Sequence, residues 1–170
     1  QESGADDSLG HAALALLDDV LEELMGVRVR EGAKIAAHIE QRCAALRALV
    51  AQLHAQLPAT LAHLRARLVS RMAGLGDGLD PARLEQEMLL LIQKSDVDEE
   101  LERLDMHIKE ISRVLHEQEP LGRRLDFLMQ ELNREANTLG AKAADTETTR
   151  ASIEMKVIIE QMREQVQNVE

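Results

Sequence analysis

Residues 95–115 read SDVDEELERLDMHIKEISRVL. The apolar residues Val97, Leu101, Leu104, Ile108, Ile111 and Leu115 are spaced four, three, four, three and four positions apart. A strand would place them at every second position. This spacing instead puts them along one narrow stripe of an α-helix, a coiled-coil-like seam. Asp96 with Glu99 marks the start, a loosened capping box. Such a seam is stable only against other apolar helix faces, so the fold turns on whether the rest of the chain supplies them.

The next stretch supplies one. In GRRLDFLMQELNREAN, 122–137, stepping about 100° per residue from Gly122 places Leu125, Leu128, Met129, Leu132, Ala136 and Leu139 on one face. Asp126, Gln130, Asn133 and Asn137 form a second line, with Arg123 and Arg134 beside it. Glu131 and Glu135 lie apart from both. Gly140 is expected to close this helix, and Asp145 to cap a last one with the seam Met155, Ile158, Ile159, Met162, Val166 and Val169.

Toward the N-terminus, Leu9, Ala13, Leu16, Val20 and Leu24 repeat at helical spacing, with Gly26 a candidate end. Ile35, Ile39, Cys43, Leu46, Val50, Leu53 and Leu57 follow. Pro58 is read as a turn or helix start, and Leu61, Leu64, Leu68 and Met72 make a third stripe, antiparallel to the second. GLGDGLDP at 74–81 is the clearest break, and Asp80-Pro81 opens a further helix to about Lys94.

Aromatics are 1% of the 170 residues, and Leu, Ala, Glu and Arg dominate. That excludes the composition of a β-sandwich or barrel. The expectation is an all-α chain of long antiparallel helical hairpins and coiled-coil-like helices, about six in number and oligomer-forming. Residues 1–7 are expected to be a disordered segment, 8–73 a helical hairpin arm, and 80–170 a C-terminal helical domain. A single cysteine, Cys43, excludes an internal disulfide and fits a reducing, cytoplasmic compartment. No apolar run reaches the length of a membrane span. The first residue is Gln rather than Met, so the chain is read as a fragment.

The net charge of −11 disfavours a nucleic-acid partner. The charge is unevenly placed, however. Residues 28–72 hold eight Lys and Arg against Glu31 and Glu40, hence +6, which leaves −17 elsewhere. That stretch is either a solvated helix face or a surface for a polyanion. The Asp-Gln-Asn-Asn line of 126–137 has two uses: bridging to other helices or subunits, or holding a polar ligand with arginines alongside. Phe127 either packs on a neighbour or stacks on a base. Glu100, Arg103 and His107 share one helix face, where His107 is a hydrogen-bonded histidine, a metal ligand or an acid/base group. Clustered carboxylates suit Mg²⁺ or Mn²⁺ better than zinc.

GRRLDFLMQELNREANTLGAKAAD followed by EMKVIIEQMREQVQNVE resembles the C-terminal part of the YicC/YloC family of bacterial proteins. VREG (29–32) and QEMLLLIQKSDVDEELERLDMHI (86–108) fall in the family's order. Two departures are Ala141, where the family usually has Ser, and Arg30, where it often has an acidic residue. The resemblance implies a stress-induced endoribonuclease that needs a divalent metal, typically Mn²⁺, and assembles as a hexameric ring. It implies catalytic roles for His107, Glu100, Glu131 and Glu135, and metal binding by Glu100, His107, Asp126 and Glu131. RNA contacts would come from Arg103, Arg123, Arg134, Asn137 and Lys142. RNA and further copies of the chain are then the expected partners, with no small-molecule cofactor. The rival expectation is a non-catalytic oligomerisation and RNA-clamping module, whose chemistry requires the mixed α/β half that the chain lacks.

Overall fold

A computed structural model describes residues 2–73, 86, 89–90, 96–117 and 121–167, with side chains over 10–71 of the first stretch. Among these residues the chain is all-helical. Four helices are delimited: α1 (Glu2–Ala73), α2 (Asp98–Val114), α3 (Gly122–Lys142) and α4 (Thr146–Val166). No described helix is long and apolar enough to cross a membrane. Residues 1–38 and 39–170 form two compact units.

The expected arm hairpin over 8–73 is not formed. Glu2–Ala73 is one helix, with Pro58 inside it, and it begins within the segment expected to be disordered. Pro58 has no N–H for the carbonyl four residues back, a local cost of roughly 3 kcal/mol. The flanking residues are rich in Ala and Leu, which propagate helix on both sides. Three expected stripes therefore belong to one helix. The break at 74–81 lies outside the described residues. So does the helix expected after it, apart from Gln86, Leu89 and Leu90, which are helical.

In the first unit the periodic apolar positions are present but not buried. Leu14, Leu16, Leu17, Val20, Leu21, Leu24, Met25 and Val29 are 45–73% exposed. In the second unit the same helix buries Ile39, Cys43, Leu46, Val50 and Leu53. Burial pushes the Cys43 thiol up to about 11.

α2 buries Val97, Leu101, Leu104, Ile108 and Ile111 as expected. The seam then ends on Val114, because the helix stops there and Leu115 is its C-cap. The Asp96 carboxylate accepts the Asp98 N–H at 3.2 Å. α2 and α3 pack antiparallel: Arg103 faces Glu135 and Lys142 faces Glu100. Their connection is pinned by Arg124, whose guanidinium donates to Glu110 and Glu117 at 2.6 Å each. With Arg113, it holds the Glu110 carboxyl down at about 2.

α3 buries the whole expected face, together with Glu135. Gly140 does not end the helix, which runs on to Lys142. Its role is contact with α4: a Cβ there would lie 2.8 Å from the Ser152 Oγ. Asp145 caps α4 as expected, accepting the Thr148 N–H at 2.8 Å and the Thr148 hydroxyl at 2.7 Å. α4 buries Met155, Ile158, Ile159, Met162 and Val166; Val169 lies outside the described residues. α1 is tied to the other helices by Arg47 donating to the Ser112 hydroxyl (2.6 Å) and Gln56 donating to Glu147 (2.9 Å).

Candidate functional site

The antiparallel pairing of α2 and α3 decides which polar groups meet. His107 projects from the edge of the α2 seam, and Glu131 and Glu135 stand one turn apart on α3. One ligand atom from each of the three lies within 4.8 Å of the others. His107 and Glu131 are half-buried, and Glu135 is 5% exposed. An imidazole nitrogen with two carboxylates is a donor set for Mn²⁺, or for Mg²⁺ with more water. Bonds of about 2.1 Å would put opposed ligand atoms roughly 4.2 Å apart, a spacing close to the 4.8 Å limit of this set.

Charge at the cluster comes from Arg103. One guanidinium nitrogen lies 3.7 Å from the Glu135 carboxylate, and another hydrogen-bonds Glu99, one turn back on α2. On its other side His107 borders a cleft of about 750 Å³ between α1 and α2, lined also by Arg47, His54, Glu102, Asp105 and Arg113. Phe127 precedes Glu131 by one turn of α3, and the residue is 57% exposed.

The sequence-based metal set was Glu100, His107, Asp126 and Glu131. Of these, His107 and Glu131 come together, and Glu135 joins them. Glu100 is buried and paired with Lys142 at 2.9 Å, so each is the other's counter-ion. Asp126 accepts from Gln130 at 2.8 Å and lies 3.8 Å from Arg163. Lys142, expected at the RNA backbone, is therefore engaged with Glu100. Arg123, Arg134 and Asn137 are exposed along α3. Glu135 is among the expected catalytic residues, and what the sequence does not show is its burial beside His107. It stands one turn from Glu131, but nothing local shows that α2 covers it.

Comparison with known proteins bears on this arrangement. Residues 53–170 match the family described as endoribonuclease YicC-like, C-terminal. A probable endoribonuclease YicC of Haemophilus influenzae is 45% identical over 164 residues, covering 96% of this chain and 57% of the relative. One of Clostridioides difficile is 34% identical over 157 residues, covering 91% of this chain and 54% of the relative. The chain thus spans just over half the length of these relatives. The match covers α2, α3 and α4 entire, and by it the chain belongs to the YicC-like family, with residues 53–170 as its C-terminal domain.

Proposed function

We propose that this chain is the helical C-terminal part of a divalent-cation-dependent endoribonuclease, with the cation held by His107, Glu131 and Glu135. The observation that carries the reading is the convergence of those three ligand atoms within 4.8 Å, in a chain of this family. A bound Mn²⁺ or Mg²⁺ would supply Lewis acidity and neutralise charge on the scissile phosphate. The protein's own groups do the rest. Glu131 is half open to solvent and can accept the proton of an attacking hydroxyl when it is not fully engaged as a ligand. Arg103 stands beside the cluster, and its fork suits a phosphate oxygen. Phe127 offers a ring face for base stacking. Arg123, Arg134 and Asn137 extend the polar track along α3. The exposed arginines of α1, such as Arg47, Arg65 and Arg67, provide positive charge for the RNA backbone despite the net charge of −11. The Lys142–Glu100 pair holds α2 to α3 rather than touching RNA. The single buried Cys43 suits a reducing cytoplasm.

A second reading makes the chain an oligomerisation and RNA-clamping module whose catalysis needs residues beyond it. The exposed apolar stripe of residues 14–29 favours this reading. Its proposed occupant is the same stripe of a second copy. Antiparallel pairing about Gly26 would set Asp18 opposite Lys34 and Glu22 opposite Arg30, so the flanking charges complement each other.

One experiment separates the readings. The 170-residue chain, the full-length protein, and His107→Ala and Glu131→Gln forms of each are given RNA with Mn²⁺, and their solution masses are measured. The first reading expects Mn²⁺-dependent cleavage by the full-length protein that both substitutions abolish. Wild-type cleavage by both variants refutes it. The module reading expects a mass above the monomer's, RNA binding without cleavage by the 170-residue chain, and full-length cleavage that survives both substitutions.

A further inference from the structure

Glu135 is a nearly fully buried carboxylate facing a second carboxylate, Glu131, across the cluster. Such a pair requires positive charge nearby. Among the described residues, the cationic side chain paired with Glu135 is Arg103, and its hold is loose at 3.7 Å. The tighter contact of Arg103 is with Glu99, which lies four residues back on the same helix, is 62% exposed and is not among the three clustered groups. The guanidinium is thus shared between a carboxylate that would bind a cation and one that would not.

We propose that Glu99 is a positioning residue that sets the cation affinity of the cluster through Arg103. The inference rests on the cation reading above. Arg103 and a divalent cation compete for the charge of Glu135, because two positive centres beside one carboxylate repel each other. Glu99 gives the guanidinium an alternative partner. With a cation bound, Arg103 would keep its existing bond to Glu99 and so lose no charge partner, which would leave the affinity higher than with Glu135 as its sole counter-ion. Because the Glu99–Arg103 tether lies within one helix, it is independent of movement of α3. It therefore keeps the guanidinium beside the cluster, where it is available to a phosphate.

The test is Mn²⁺ binding to the 170-residue chain, read from loss of the free-ion electron paramagnetic resonance signal in the absence of RNA. Arg103→Ala is expected to tighten Mn²⁺ binding about fivefold by removing the competitor. Glu99→Gln is expected to weaken it about threefold, since Arg103 then falls wholly on Glu135. The combined variant carries the distinctive result: with Arg103 gone, Glu99→Gln has little further effect. Arg103→Lys, which retains the charge without the fork, should lie between wild type and Arg103→Ala. If wild type binds no Mn²⁺, or His107→Ala and Glu131→Gln bind as well as wild type, both the cation reading and this inference fail. If those two variants lose binding but Arg103→Ala leaves it unchanged or weaker, only the inference fails. It also fails if Glu99→Gln acts equally with and without Arg103, because its effect would then be its own charge.

Discussion

Gly140→Ala should destabilise this protein even though alanine is the better helix former. Gly140 sits inside α3, where replacing glycine by alanine ordinarily gains about 1 kcal/mol. Here the new Cβ would come 2.8 Å from the Ser152 Oγ and 3.4 Å from its Cβ. The second contact is tolerable and the first is not. Ser152 is buried, and its hydroxyl donates to the Thr149 carbonyl at 2.8 Å. Rotating the hydroxyl away would leave a buried polar group unpaired, at about 1–3 kcal/mol. Moving the helices apart instead costs a similar amount in packing. The net expectation is a loss of between about 0 and 2 kcal/mol. In a Ser152→Ala background the oxygen is absent and the propensity gain is recovered, so the same substitution stabilises by up to about 1 kcal/mol. Urea unfolding followed by helical circular dichroism on the four proteins of this cycle gives the coupling directly. An equal gain from Gly140→Ala in both backgrounds would refute the close approach of α3 and α4.

Two further predictions concern groups buried at the helix interfaces. Lys142→Met leaves the Glu100 carboxylate, 3% exposed, without its counter-ion, and should cost about 2–3 kcal/mol in urea unfolding, discounted because Lys142 is a third exposed; Glu100→Gln in the same chain should recover much of it. The Cys43 thiol, held up at about 11 by burial, should resist iodoacetamide at pH 8 until the protein is unfolded, and alkylation of the native protein at the rate of a free thiol would contradict its burial.

The helices of the second unit were legible because their apolar periodicity is clean. Every α3 residue placed on the expected core face is buried, and the α2 seam differs only in ending at Val114 instead of Leu115. The arm was misread because Pro58 is a strong local signal for a break, and one missing hydrogen bond did not outweigh a long run of helix formers. Gly140 was misread for a related reason. A glycine near a helix end looks like a cap, whereas this one makes room for a residue twelve positions later. At the candidate site, His107 and Glu131 could be named from residue type and resemblance. The partners of Glu100 and Asp126 could not, because Lys142 and Arg163 are 42 and 37 positions away and a helical wheel sees only its own helix. Glu135 could likewise be named from the resemblance, but not its burial, which comes only from the packing of α2 over it.

The cluster draws all its groups from α2 and α3, consecutive helices joined by residues 115–121. Closing so short a connection costs little chain entropy, and contacts near in sequence form early in folding. The ends of the chain have no part in bringing His107 to Glu131 and Glu135. The polar centre therefore rests on a single short-range helix pair, a low-contact-order arrangement that needs no long loop to be closed.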